Sequence, residues 1–277
     1  MFLHIVTSAY RKQIFPVCLK KIGVQSLEEL IEQTIPADIR LEHPLDLPPA
    51  MSEYEFAKHI AELGSMNQVY RSFIGTGWYG TITPAVIQRN VFENPVWYTS
   101  YTPYQSEVSQ GRLEALLNFQ TAISDLTGMP LANCSLLDEA TAAAEAATMM
   151  YSLRSRSQQK ANACTLFIDN EVFPQVKAVI RTRAIPQGIQ IKAGDYKTLE
   201  FTPDIFGCII QYPNNSGSIE DYREFTQQAH AAGCKVAVDA DILSLALLTP
   251  PGEWGADIVF GSSQRMGTPM FYGGPSA

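Results

Sequence analysis

Lys235 to Gly267 reads KVAVDADILSLALLTPPGEWGADIVFGSSQRMG. KVAVDA (235–240) is a short apolar run closed by a carboxylate, and GADIVFGS (255–262) is a second that empties into a serine-rich loop. The same rhythm repeats toward the N terminus. CTLFID (164–169), GIQIKA (188–193) and FGCIIQY (206–212) read as strands, while PQVKAVIRTRA (174–184) and DYREFTQQAHAAG (221–233) read as helices. Strands of four to six apolar residues alternating with helices predict an α/β fold, a mostly parallel sheet covered on both faces. Ligands of such sheets lie beyond the carboxyl ends of the strands. Here those ends carry the loops 211–218, 239–244 and 261–267. Asp239 closes an apolar strand, where a lone carboxylate is costly, so it requires a cationic or hydrogen-bonding partner. The competing reading has it capping the next turn.

Upstream, NPVWYTSYTPYQSEVSQGR (94–112) concentrates aromatic and polar groups with little charge. Trp97, Tyr98, Tyr101 and Tyr104 offer ring faces and hydroxyls, Gln105 an amide, and Pro95 and Pro103 stiffen the chain. Ser106 is a cap for a helix running to Gly128, so the loop empties into a helix N-terminus suited to an anionic small molecule. A buried aromatic packing loop between two domains is the other reading, and both stay open. Within the helix, Leu113, Leu116, Leu117, Phe119, Ile123 and Leu126 recur at helical spacing and predict a core helix. Ser135 with Asp138 predicts the start of a second, alanine-rich helix. Its Ala140, Ala142, Ala143 and Ala146 allow a ligand or another backbone to approach closely, and a tight helix crossing explains them equally.

Residues 1–70 read as a helical N-terminal arm, and 71–277 as a partial large α/β domain. In the arm a helix starts at Ser26 and stops at Pro36, and Ser52 with Glu55 forms a capping box for another through Leu63. At the junction, Gly75, Gly77 and Gly80 match GxGxxG, with Glu93 downstream. A dinucleotide site needs a strand before that motif and a helix opening within it. Only the short SFI precedes it, Trp78 and Tyr79 crowd the turn, and Pro84 follows. A glycine turn lining a cleft fits better than a nucleotide-binding oxidoreductase.

Of 277 residues, 46% are hydrophobic and 17% charged, which fits a globular enzyme and argues against disorder. The net charge of −8, without a basic stripe, argues against nucleic acid and acidic membranes as partners. No run resembles a signal peptide or a membrane span. The five cysteines (18, 134, 164, 208, 234) lack a CxxC and read as reduced, mostly buried thiols of a cytoplasmic protein. The four histidines are dispersed without metal-ligand spacing, so no metal is expected.

A strand-ending Asp239 followed by a further strand and a serine-rich loop resembles pyridoxal-phosphate enzymes of the aspartate aminotransferase-like fold, fold type I. There the aspartate holds the pyridine nitrogen and a lysine on the later loop forms the Schiff base. SFIGTGWY, NPVWYTSYTPYQSEVSQGRLEALLNFQT, ANCSLLDEATAAAEA, PPGEWGADIVFGSSQRMGTP and YGGPSA closely resemble glycine decarboxylase, the P-protein of the glycine cleavage system. The resemblance runs from about Ile22 to Ala277, and the opening lacks the family's arginine-histidine-isoleucine-glycine-proline start.

That resemblance implies a pyridoxal-phosphate enzyme that decarboxylates glycine and passes the aminomethyl group to the lipoyl arm of the H-protein. It also implies two similar halves or subunits, of which only the second carries the cofactor lysine. This sequence looks like the front of the first half. No lysine follows Lys235, and Arg265 stands where the Schiff-base lysine is expected. Arginine stays protonated and forms no imine. The expected consequences are these. No catalytic residue lies in this segment. Tyr101, Thr102, Pro103, Tyr104, Gln105 and Glu107 form one wall of a site centred on the lysine-bearing partner. Ser135, Asp138, Asp239, Ser263 and Arg265 mark a pseudo-cofactor site, because Asp138 and Glu139 at a helix start repel a phosphate. An oligomer is expected. The sheet, stopping before its next strand, should present an exposed edge and apolar face that a partner must cover. A non-catalytic scaffold lobe that docks the H-protein or the partner half is the alternative.

Overall fold

The structure, a computed structural model, describes residues 15–41, 43, 45–71, 73, 75–77, 80–98 and 106–269, with the backbone alone at 106–110. Two compact units are present, Met1–Arg71 and Ser72–Ala277. In the first, α1 (Phe15–Ile22), α2 (Leu27–Thr34) and α3 (Glu53–Ser65) are amphipathic. Ser26 caps α2 by accepting from the Glu29 amide, and Ser52 with Glu55 closes a reciprocal capping box on α3, as the sequence predicts.

The second unit opens with a glycine turn and continues into α4 (Ser106–Thr127) and α5 (Glu139–Ser152). Then come β1 (Thr165–Asp169), α6 (Pro174–Ala184), β2 (Gln190–Gly194), β3 (Ile205–Tyr212), α7 (Arg223–Ala231), β4 (Lys235–Ala240) and β5 (Ile258–Phe260). The five strands form a fully parallel sheet in the order β2-β1-β3-β4-β5. Alternation along each strand sends neighbouring side chains to opposite faces. Leu166, Ile168, Ile209 and Ala237 pack under α5 and α6, while Phe167, Cys208, Ile210 and Val236 pack under α7. The sheet is therefore covered on both sides, and its central strands are buried along almost their whole length.

The alanines of α5 serve packing. Ala142, Ala143 and Ala146 are buried in the same cluster as Val176 and Ile180 of α6, so the two helices meet at close range. Gly207 extends this closeness to the sheet, since a Cβ there would lie 2.8 Å from Met150 Sδ.

Three expectations need correction. Asp138, not Ser135, caps α5, accepting from the Thr141 amide at 2.6 Å, and Ser135 is exposed. Starting the helix at Glu139 is what turns Ala140, Ala143 and Met150 onto the sheet. Nor is α4 a core helix: Leu117 is 64% exposed, and Leu113 is exposed too. Helical spacing defines an apolar face without supplying what covers it. Of the cysteines, Cys208 and Cys234 alone are fully buried, and Cys134 is exposed.

β5 pairs with β4 alone among the described residues, so it is the edge of the described sheet. An apolar cavity of about 360 Å³ adjoins it, lined by Phe119, Ile123, Met149, Ile258 and Val259 among others. Gly261, just past β5, runs so close to β4 that a Cβ would collide with the Ala240 carbonyl. Backbone cannot yield as a flexible side chain does. Gly261→Ala is therefore expected to destabilise the chain by about 2 kcal/mol, read as a lower urea midpoint at unchanged slope.

Candidate functional site

A polar cavity of about 230 Å³ opens beyond the carboxyl ends of the central strands. Its floor is set by the sheet. Asp239 pairs in register with Gln211 on one side and Phe260 on the other, so its position is fixed from both flanks. Gln211 contributes to the wall and accepts, through Oε1, the Phe173 amide at 2.7 Å, which ties the exit of β3 to the loop after β1. Asn214 follows β3, and Asp241, Gln264 and Arg265 close the far side. Glu139, the first residue of α5, reaches the same cavity from above the sheet.

Gly77 completes the wall. Its φ of +87° is left-handed, and a Cβ there would meet the Phe173 ring at 2.6 Å, so both conformation and space require glycine. Thr76 accepts at its carbonyl from Gln175 Nε2 at 2.7 Å. Among the described residues around this turn, 71, 73 and 75 are not in a strand, so no strand leads into the glycine motif there as a dinucleotide fold requires. It lines a cleft instead.

The electrostatics are set by three carboxylates and one guanidinium. Arg265 Nε and Nη2 reach Asp241 at 3.2 and 2.9 Å, a two-toothed pair that fixes the guanidinium plane. Asp241 also accepts the Leu243 amide, so the turn-capping role falls to it and not to Asp239. Asp239 is 1% exposed, and its partner is another acid, Glu139, itself 6% exposed. Of the two kinds of partner expected for Asp239, cationic or hydrogen-bonding, the second is the one found among the described residues, because the arginine in this wall is bonded to Asp241. Two ionised carboxylates only accept, which leaves Asp239 Oδ2 without a donor. The hydrogen bond between the two acids requires a proton on one of them, and Asp239 Oδ2 has no donor from any other group among the described residues. Burial pushes the Glu139 carboxyl up to about 7, against the lowering effect of its bond to Asp239. Burial, then the Glu139 charge, drives Asp239 well above the usual carboxylate range.

Of the predicted site residues, Asp239 and Arg265 meet in this cavity, and Asp138 lies one residue outside it as the helix cap. Ser135 and Ser263 line the neighbouring apolar cavity. Tyr101, Thr102, Pro103, Tyr104 and Gln105 lie outside the described residues, as does the side chain of Glu107. Nearby, Trp97 and Tyr98 form a short exposed helix, with the Arg112 guanidinium 5.7 Å from the Trp97 ring. Sequence reasoning missed Gln211 and Asp241, although Asp241 stands two residues past Asp239, where the strand becomes loop. Among the described residues no cluster of histidine, cysteine and carboxylate could hold a metal ion, and no helix is long and apolar enough to cross a membrane.

A family model described as Glycine cleavage system P-protein matches residues 4–277. The chain belongs to that family. The P-protein match begins well before Ile22, so the opening residues fall within the family despite their unfamiliar start. A glycine dehydrogenase (decarboxylating) of Bacteroides fragilis is 74% identical over 261 residues, covering 94% of this chain and 28% of the relative. One from Flavobacterium johnsoniae is 55% identical over 259 residues, covering 94% and 27%. The chain thus spans just over a quarter of the length of these curated relatives. A crystal structure of glycine decarboxylase (P-protein) in inhibitor-bound form superposes with a TM-score of 0.84 at 32% identity, covering 97% of this chain and 60% of that one.

Pyridoxal phosphate, the cofactor the resemblance implies, does not fit this P-protein cavity. Asp138 already takes the Thr141 amide that a phosphate at the α5 N-terminus would use, and Glu139 adds a second acid there. Arg265, bound to Asp241, offers no amine.

The acid pair makes stability pH-dependent. Glu139 binds its proton more tightly folded (about 7) than at the ordinary carboxylate value of 4.5, so its stabilisation is full below 4.5 and lost as pH rises through 7. Glu139→Gln is expected to flatten this decline. At pH 8 the variant should exceed the parent chain by on the order of 2 kcal/mol in urea unfolding, with little difference at pH 4.

Proposed function

We propose that this chain is the lysine-lacking part of glycine decarboxylase, building one side of a site whose pyridoxal phosphate is held by a lysine-bearing second half or subunit. In that assembly glycine loses its carboxyl group and the aminomethyl group passes to the lipoyl arm of the H-protein. The observation that carries the reading is the Arg265–Asp241 pair, which puts a permanently charged, ion-paired group where the resemblance expects the Schiff-base lysine. Tyr101, Thr102, Pro103, Tyr104, Gln105 and Glu107 would then form one wall of that site, as the resemblance implies. A cytoplasmic setting suits five free cysteines. On this reading the segment by itself does not decarboxylate glycine.

Reduction with borohydride in the presence of pyridoxal phosphate, followed by peptide mapping, tests the proposal. The expected result is no stoichiometric adduct on this chain, and a single adduct on the lysine-bearing partner when that is supplied. One unique, stoichiometric adduct on a lysine of this chain would overturn it.

A further inference from the structure

We propose that the cavity between α5 and the ends of β3 and β4 binds a small organic cation carrying N–H donors, its charged nitrogen placed between Glu139 and Asp239. Three observations converge. The cavity has room for several heavy atoms, at about 230 Å³. Asp239, 1% exposed, directs to it a carboxylate whose Oδ2 receives no donor. The charge is unbalanced, because Glu139, Asp239, Asp241 and Asp138 share one guanidinium among the described residues of this cavity, Arg265, which bonds Asp241 through Nε and Nη2 and acts on Glu139 through its charge.

The chemistry selects the ligand class. A carboxylate pair accepts hydrogen bonds in two directions, so an ammonium or amidinium that donates at least two N–H bonds satisfies both acids at once. A quaternary ammonium brings charge without donors and leaves Oδ2 unsatisfied. The carboxylates do not converge into a metal-binding group. The Phe173 ring and Pro213 offer apolar contact for a short carbon skeleton. Binding competes with the proton that the acids share. Glu139 on α5, Asp239 and Asp241 at the end of β4, and Arg265 beyond β5 are the charged groups facing that proton, with Asp138 beside them. The ligand therefore binds better where the pair carries more negative charge, above neutrality.

Calorimetric titration of the full chain with methylammonium and acetamidinium chloride tests this. The expected result is saturable single-site binding at pH 8, weakened about tenfold at pH 6, with no binding of tetramethylammonium or potassium. Combining Glu139→Gln with Asp239→Asn, which keeps shape and hydrogen bonding but removes the charge, should weaken binding by about tenfold or more. The proposal is overturned by absence of saturable binding at pH 8, by equal binding of tetramethylammonium or potassium, or by affinity independent of pH. Parental affinity in a folded double variant overturns it equally. The pH comparison needs no variant and stands if the double substitution fails to fold.

Discussion

Close contact between α5 and the sheet governs the second unit. Apart from Met150, which sits over Gly207, alanines line that face of the helix, so its backbone comes down onto β3 and onto α6, where Val176 and Ile180 fill the remaining space. Apolar burial of this kind contributes roughly 25 cal/mol per Å² removed from water, which fixes where the helix must begin as well as where it lies. Its first residue is Glu139, delivered to the end of β4 with Asp239 opposite. Neither acid would be stable there alone. Packing brings them together, and a shared proton makes the meeting tolerable.

How much of this could be read from the sequence depended on what each residue's behaviour is set by. Strands β1 to β5 and helix α6 were legible because their apolar runs and flanking glycines and prolines are local signals. The capping box at Ser52 was legible for the same reason. The start of α5 was not, since both Ser135 and Asp138 are good caps in ANCSLLDEAT and only the fit of Ala143 and Met150 against the sheet chooses between them. Similarly, periodicity marked Leu117 as apolar on a helical face, while its exposure depends on what lies across from that face.

At the site, Asp239 and Arg265 were identifiable, but not their pairing. A one-dimensional reading joins an acid to a nearby base, and the tertiary structure joins Arg265 to Asp241 and leaves Asp239 with Glu139. The difference is about reach and burial. Asp241 stands at the rim, where a guanidinium keeps part of its hydration, whereas meeting Asp239 would carry that charge to the sheet floor at a high desolvation cost. The glycine turn shows the same dependence on context, since Gly77 is required by the Phe173 ring and not by a nucleotide.

The ion pair at the rim has a consequence for how such a pocket tolerates change. Arg265 and Asp241 hold each other, Asp138 holds the helix, and Glu139 and Asp239 hold a proton, so each group has a local reason to stay. Placing lysine at position 265 alone would leave an amine attracted to Asp241, beneath a helix start occupied by acid. A covalent cofactor site here would need several simultaneous changes, each unfavourable by itself. The pocket is interlocked: a change to any one of these groups leaves another without its partner.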